Sequence, residues 1–139
     1  MIALNMKFDY EKNYPIIKKL AEKHGLVLVA LFGSVAKGKI HKQSDVDLAV
    51  LAEHRLRPAE LAEMQFDFSQ NLSIKDLELA DLKSASPLLL KQIAQYAKLL
   101  YEKEPSAFAR FKIYGYKSYM EAKPLFILRE SQLNKFLSL

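Results

Sequence analysis

Residues 32–51, "FGSVAKGKIHKQSDVDLAVL", decide how this chain is read. They place the pair Gly33–Ser34 after an apolar run and, ten residues further on, two aspartates, Asp45 and Asp47, separated by one valine. The run before the glycine, "LVLVALF" (26–32), is β-branched and aromatic and short enough for a buried strand. "DVDLAVLA" (45–52) reads as a second strand, and "SVAKG" (34–38) and "KIHKQS" (39–44) between them as a short helix or turn and a polar loop. Side chains alternate along a strand, so Asp45 and Asp47 point the same way. Carboxylates that close repel each other unless a cation lies between them. A hard divalent ion suits such a pair, because it takes oxygen ligands and leaves positions for water and phosphate. Gly33 permits a tight turn and close approach of a ligand to the backbone. Ser34, at a helix start, offers a hydroxyl and free N–H groups that suit phosphate. Lys37, Lys39 and Lys42 add local positive charge. Phosphate site and metal site together predict a triphosphate bound with magnesium.

Working outward, "DYEKNYPIIKKLAEKH" (9–24) predicts an amphipathic helix with Ile16, Ile17, Leu20 and Ala21 on one face and Gly25 at its end. "PAELAEMQFDFSQNL" (58–72) predicts a helix opened by Pro58. "IKDLELADL" (74–82) alternates apolar and acidic residues and predicts a third strand. "SPLLLKQIAQYAKLLYEKE" (86–104) predicts one long helix, with Ser86 as cap and Pro87 at its first position. Two further helices are expected over 105–122 and 124–139, each opened by a proline. The expected architecture is one α+β domain over 1–139, a small mixed sheet packed with helices and a helical C-terminus. Its core is placed in 1–104 and its C-terminal helices in 105–139.

Composition narrows the function class. A chain of 139 residues, half of them hydrophobic and 27% charged, suits one globular domain with a real core. With no cysteine, disulfides and thiolate metal sites are excluded. No apolar run reaches the length of a membrane span, and the N-terminus does not read as a signal peptide, so a cytoplasmic protein is expected. The net charge of +5 permits an anionic partner. Its lysines are scattered, so direct nucleic-acid binding is not expected.

The full pattern G-S-x-A-x-G-x(5)-S-D-x-D-L is filled by Gly33, Ser34, Ala36, Gly38, Ser44, Asp45, Asp47 and Leu48. With the preceding apolar strand it resembles the signature of the polymerase-β-type nucleotidyltransferases, and in particular their minimal members, the MNT proteins. "ASPLLLKQI…LLYEKE" and "SYMEAKPL" are similar, more loosely, to the C-terminal helices of MNT antitoxins that pair with HEPN toxins, so the resemblance covers essentially the whole chain. Lys37 stands where family members often have arginine, which keeps the charge and loses the bidentate geometry.

The resemblance implies a polymerase-β-like fold and a third carboxylate on a neighbouring strand. Asp76 and Glu78 share a face by alternation, and Asp81 falls on the other. Aligned to the family's pattern, "ELADLKSASP" favours Glu78 as the third metal-binding and catalytic residue beside Asp45 and Asp47, with Asp76 second. The bland reading of the same run is an edge strand with a solvated acidic face. Gly33, Ser34, Lys37 and Ser44 would bind the nucleotide. The implied activity is transfer of AMP from ATP, with one or two Mg2+ ions, to a tyrosine of a cognate HEPN toxin, in a hetero-oligomeric complex. Two alternatives stand beside it: an antitoxin that neutralises its toxin by binding alone, and a small-molecule nucleotidyltransferase.

Other residues draw a functional reading without the same support. His41 lies beside the lysines, and His24 and His54 are too isolated in sequence to suggest a metal site. Phe108, Phe111, Tyr114, Tyr116 and Tyr119 read as core or as a protein interface. Tyr101 and the later tyrosines could accept AMP in self-modification.

Overall fold

The computed structural model describes residues 10–33 and 46–138. Its sheet is built around β1 (Leu26–Phe32), which pairs antiparallel with β2 (Val46–Ala52) on one side and with β4 (Lys98–Glu102) on the other. β3 (Leu77–Asp81) runs parallel to β2 and completes the order β3-β2-β1-β4. The sheet is therefore mixed, as expected, and the fold is that of an α+β domain.

α1 (Tyr10–Lys23) and α2 (Pro58–Leu72) contribute to the core on one sheet face. There Ile17, Leu20, Met64 and Phe68 meet Leu31, Leu48, Val50 and Leu79 in the larger core. α3 (Pro87–Tyr96) and α4 (Ala107–Leu137) cover the other face, with Leu90, Ile93, Ala94 and Phe111 against Leu28 and Ala49. Alternation along β2 therefore sends Val46, Leu48 and Val50 toward the α1/α2 side and Asp47, Ala49 and Leu51 toward the α3/α4 side. Among the described residues no helix is long and apolar enough to cross a membrane.

Local signals account for several element ends. Pro58 opens α2, and the Glu60 carboxylate reaches back to accept the Arg57 N–H at 3.1 Å. Ser86 caps α3, its Oγ accepting the Leu89 N–H at 3.2 Å. Gly25, at φ +65°, ends the turn after α1 in a conformation that favours glycine. The third strand is shorter than the expected 74–82, beginning only at Leu77.

Two expectations for the C-terminal part are corrected. The helix expected over 86–104 stops at Tyr96, and 98–102 form β4. No glycine or proline marks that change, and "AKLLY" (97–101) has ordinary helix formers. The pairing with β1 decides it: the strand satisfies β1's second edge and buries Leu100 and Tyr101. The two helices expected on either side of Pro124 are one helix, α4, with that proline inside. Proline removes one N–H from the ladder. The carbonyl deprived of it, on Met120, lies in an exposed turn where water can serve it.

α4 crosses α3 at Gly115. A Cβ there would lie 2.9 Å from the Leu90 carbonyl oxygen and 3.2 Å from the Ala94 Cβ. The close approach is between backbones, so relief requires the helices to separate. Gly115→Ala is expected to destabilise the chain by about 1–3 kcal/mol. Urea unfolding checks it, as a lower midpoint with an unchanged slope.

Candidate nucleotidyl-transfer site

Three sequence-predicted site residues, Gly33, Asp47 and Glu78, lie among the described residues; Ser34, Lys37, Ser44 and Asp45 lie outside them, as do the 34–38 turn, the 39–44 loop and His41. The described three converge on one end of the sheet. Phe32, the last residue of β1, is the register partner of Asp47 on β2. Asp47 in turn is the register partner of Glu78 on β3.

The two carboxylates share a sheet face. Leu77 and Leu79 are buried in the α1/α2-side core, so the residue between them, Glu78, projects to the opposite side and is exposed. That is the side of Asp47, whose neighbour in alternation, Ala49, packs against the α3/α4 core. Paired strands are spaced by about 4.8 Å, which puts the two acids side by side.

Gly33 contributes more than a turn. Its φ is +84°, in the left-handed region. A Cβ built on it would lie 2.4 Å from Asp47 Oδ2 and 3.3 Å from its Cγ. The missing side chain is thus the space occupied by the Asp47 carboxylate. This role was not legible in the sequence, where Gly33 read only as a turn and a place for phosphate. Thirteen residues lie between it and Asp47, and only strand pairing brings the two together.

The other acids of the third strand separate clearly. Asp76 precedes β3 and is exposed, and its carbonyl accepts the Val46 N–H at 2.9 Å. Asp81 sits at the far end of the strand, where Oδ1 accepts the Lys83 N–H and Oδ2 the Ser84 hydroxyl, both at 3.1 Å. Its carboxylate is committed to the turn into α3. β3 is an edge strand, as the bland reading had it. Its Leu79 N–H is taken by Gln65 Oε1 of α2 at 3.1 Å, so part of that edge is covered.

Asp47 and Glu78 offer hard oxygen donors from neighbouring strands, and the Gly33 notch leaves room for a carboxylate and an approaching ligand. This donor chemistry fits a divalent cation. Among the described residues no cluster of three or more histidines or acids is assembled, so a fuller ligand set must draw on residues outside them.

The remaining singled-out residues have structural uses. His24 Nε2 lies 2.9 Å from Asp67 Oδ2 and His54 Nε2 lies 3.1 Å from Glu60 Oε2. Hydrogen bonds from Lys23 and then His24 hold the Asp67 carboxyl below the usual carboxylate range. Tyr101 is buried in the α1/α2-side core, and that burial pushes its phenol up, which does not suit an acceptor hydroxyl. The aromatic group divides. Phe111 is core, with Phe108 stacked on it at 6.5 Å, while Tyr114 and Tyr116 are exposed and Tyr119 takes the Lys91 ammonium over its ring at 5.0 Å.

Residues 15–106 match the polymerase beta nucleotidyltransferase family. The chain belongs to that family. It is also 38% identical, over 76 residues, to the protein adenylyltransferase MntA of Shewanella oneidensis. That match covers 55% of this chain and 54% of MntA, about half the length of the curated relative. Among solved structures, the nucleotidyltransferase resembles a chain of a toxin–antitoxin crystal structure with AMP-PNP, at 29% identity and a TM-score of 0.72, over 90% of this chain and 98% of that one. It also resembles a chain of the complex between the tri-AMPylated Shewanella oneidensis HEPN toxin and MNT antitoxin, at 26% identity and a TM-score of 0.69, over 92% and 98%.

Proposed function

We propose that this nucleotidyltransferase is an antitoxin that transfers AMP from ATP to a tyrosine of a cognate HEPN toxin and thereby silences it. The observation that carries the reading is the register Phe32–Asp47–Glu78, with Asp47's carboxylate lodged in the Gly33 notch. Likeness to an adenylyltransferase and to chains of toxin–antitoxin complexes, one with AMP-PNP and one with an AMPylated toxin, supports the nucleotide, the reaction and the partner.

Asp45, Asp47 and Glu78 are proposed to hold one or two Mg2+ ions. Bound there, the metal would neutralise the clustered carboxylates and draw charge from the triphosphate. Gly33 and Ser34 are proposed to receive the phosphates through backbone N–H groups and the serine hydroxyl, and Lys37 and Ser44 to contribute to the same nucleotide binding. A tyrosine hydroxyl titrates near 10, so it needs help to lose its proton at neutral pH. Glu78, the more exposed of the two described acids, is the proposed group that takes that proton. The phenolate oxygen bonds to the α-phosphorus, the bond to the bridging oxygen breaks, and pyrophosphate leaves.

Intact-mass spectrometry tests this. The protein is incubated with ATP, magnesium and the product of the neighbouring gene. Added AMP on that product, absent with Asp47→Asn, is the expected result. Stable complex and full toxin neutralisation with no mass change on either protein would replace transfer by occlusion. AMP found instead on a small-molecule acceptor would favour the third alternative.

A further inference from the structure

The last turns of α4 carry a surface that the fold itself does not use. Buried side chains on this helix end at Gly115, and beyond Phe126 every described residue is exposed. Leu125, Leu128, Leu133, Phe136 and Leu137 are between 53% and 70% exposed. At about 100° per residue these five and Phe126 fall on one half of the helix, while Ile127, 58% exposed, lies with Glu130, Ser131 and Asn134 on the other. An isolated helix this short is marginal in water, and an apolar stripe of this size on a monomer marks an interaction site.

Charge selects the occupant. Among the described residues that apolar half carries one charged side chain, Arg129, between the Leu125/Phe136 and Leu133 rows. Two copies paired antiparallel through this stripe would bring two guanidiniums together near the dyad, with no carboxylate on the stripe to meet them. Like charges so placed disfavour the pair. A partner offering an apolar groove with a carboxylate inside it satisfies both the leucines and the arginine.

We infer that residues 125–137 are a docking arm for the protein acceptor, which presents an apolar groove with an aspartate or glutamate opposite Arg129. This rests on the protein-acceptor reading above, and goes beyond it in assigning the surface and its chemistry.

The test measures binding and transfer separately. Full-length protein, Arg129→Glu and the pair Leu128→Ser/Leu133→Ser are titrated with the neighbouring gene's product by calorimetry without ATP. Transfer is then followed by intact mass. Circular dichroism confirms that the helix content is retained, and Arg129→Glu, on an exposed position, keeps the inference testable if the double variant unfolds. Binding weakened by about tenfold or more in Arg129→Glu is expected. Transfer at saturating partner should be retained, since the arm lies outside the site. Unchanged affinity in both variants overturns the inference while leaving the transfer reading intact. Normal binding loss with no transfer by the wild type would fail the reaction and keep the docking surface. A concentration-dependent dimer of the protein alone, lost in the leucine variant, or sedimentation with anionic vesicles would also overturn it, assigning the stripe to a second copy or a lipid surface.

Discussion

Gly33→Ala is expected to slow nucleotidyl transfer about a hundredfold in a chain that still folds. Two costs coincide at this position. The backbone is at φ +84°, where a Cβ is disfavoured by about 1–2 kcal/mol. The added methyl would also stand 2.4 Å from Asp47 Oδ2, so the carboxylate must swing away or β1 and β2 must part. The first outcome requires less of the core, because Leu31 and Leu48 remain buried on the far face. A displacement near 1 Å at a catalytic group costs about a hundredfold in rate. Transfer rate and thermal unfolding measured on the same sample check this. A wild-type rate in Gly33→Ala would show that the Asp47 carboxylate need not occupy the notch.

The second large effect separates the acids of the third strand. Glu78→Gln is expected to lower the transfer rate by about a hundredfold or more, as for loss of a general base. Asp76→Asn should cost far less. Glu78 is the register partner of Asp47, whereas Asp76 precedes the strand. Both side chains are exposed, so neither substitution should change the unfolding midpoint and the comparison reads chemistry alone. Single-turnover transfer at saturating ATP is the measurement. If Asp76→Asn proves the more damaging, the third carboxylate is the other one, and the metal sits nearer the open end of the sheet.

The parts of the fold legible beforehand were those with local causes. β1 was readable over its full span because seven apolar residues end at a glycine. α2 and α3 began where Pro58, Pro87 and the Ser86 hydroxyl said they would. β4 was not readable. Lys98–Glu102 has no turn residue before it and follows a helix of similar composition, so only the vacant edge of β1 distinguishes strand from helix. Pro124 misled in the opposite sense. A proline inside a helix removes one hydrogen bond and crowds the carbonyl four residues back, and in α4 that carbonyl, on Met120, lies in an exposed turn where water can serve it.

By itself the sequence determined the site's ingredients. Gly33 and the acids Asp45 and Asp47 are close along the chain, and alternation predicts that the two aspartates share a side. It also reduced the third-strand acids to Asp76 and Glu78, because period-2 alternation removes Asp81. Only the tertiary structure made Glu78, and not Asp76, the register partner of Asp47, and only it put the Asp47 carboxylate where a Gly33 side chain would have been. The reason is the same for both. Alternation is a property of one strand, whereas register and close approach belong to pairs of strands. Which residue faces which is fixed by interstrand hydrogen bonds and by the packing of both sheet faces, and no local spacing encodes either.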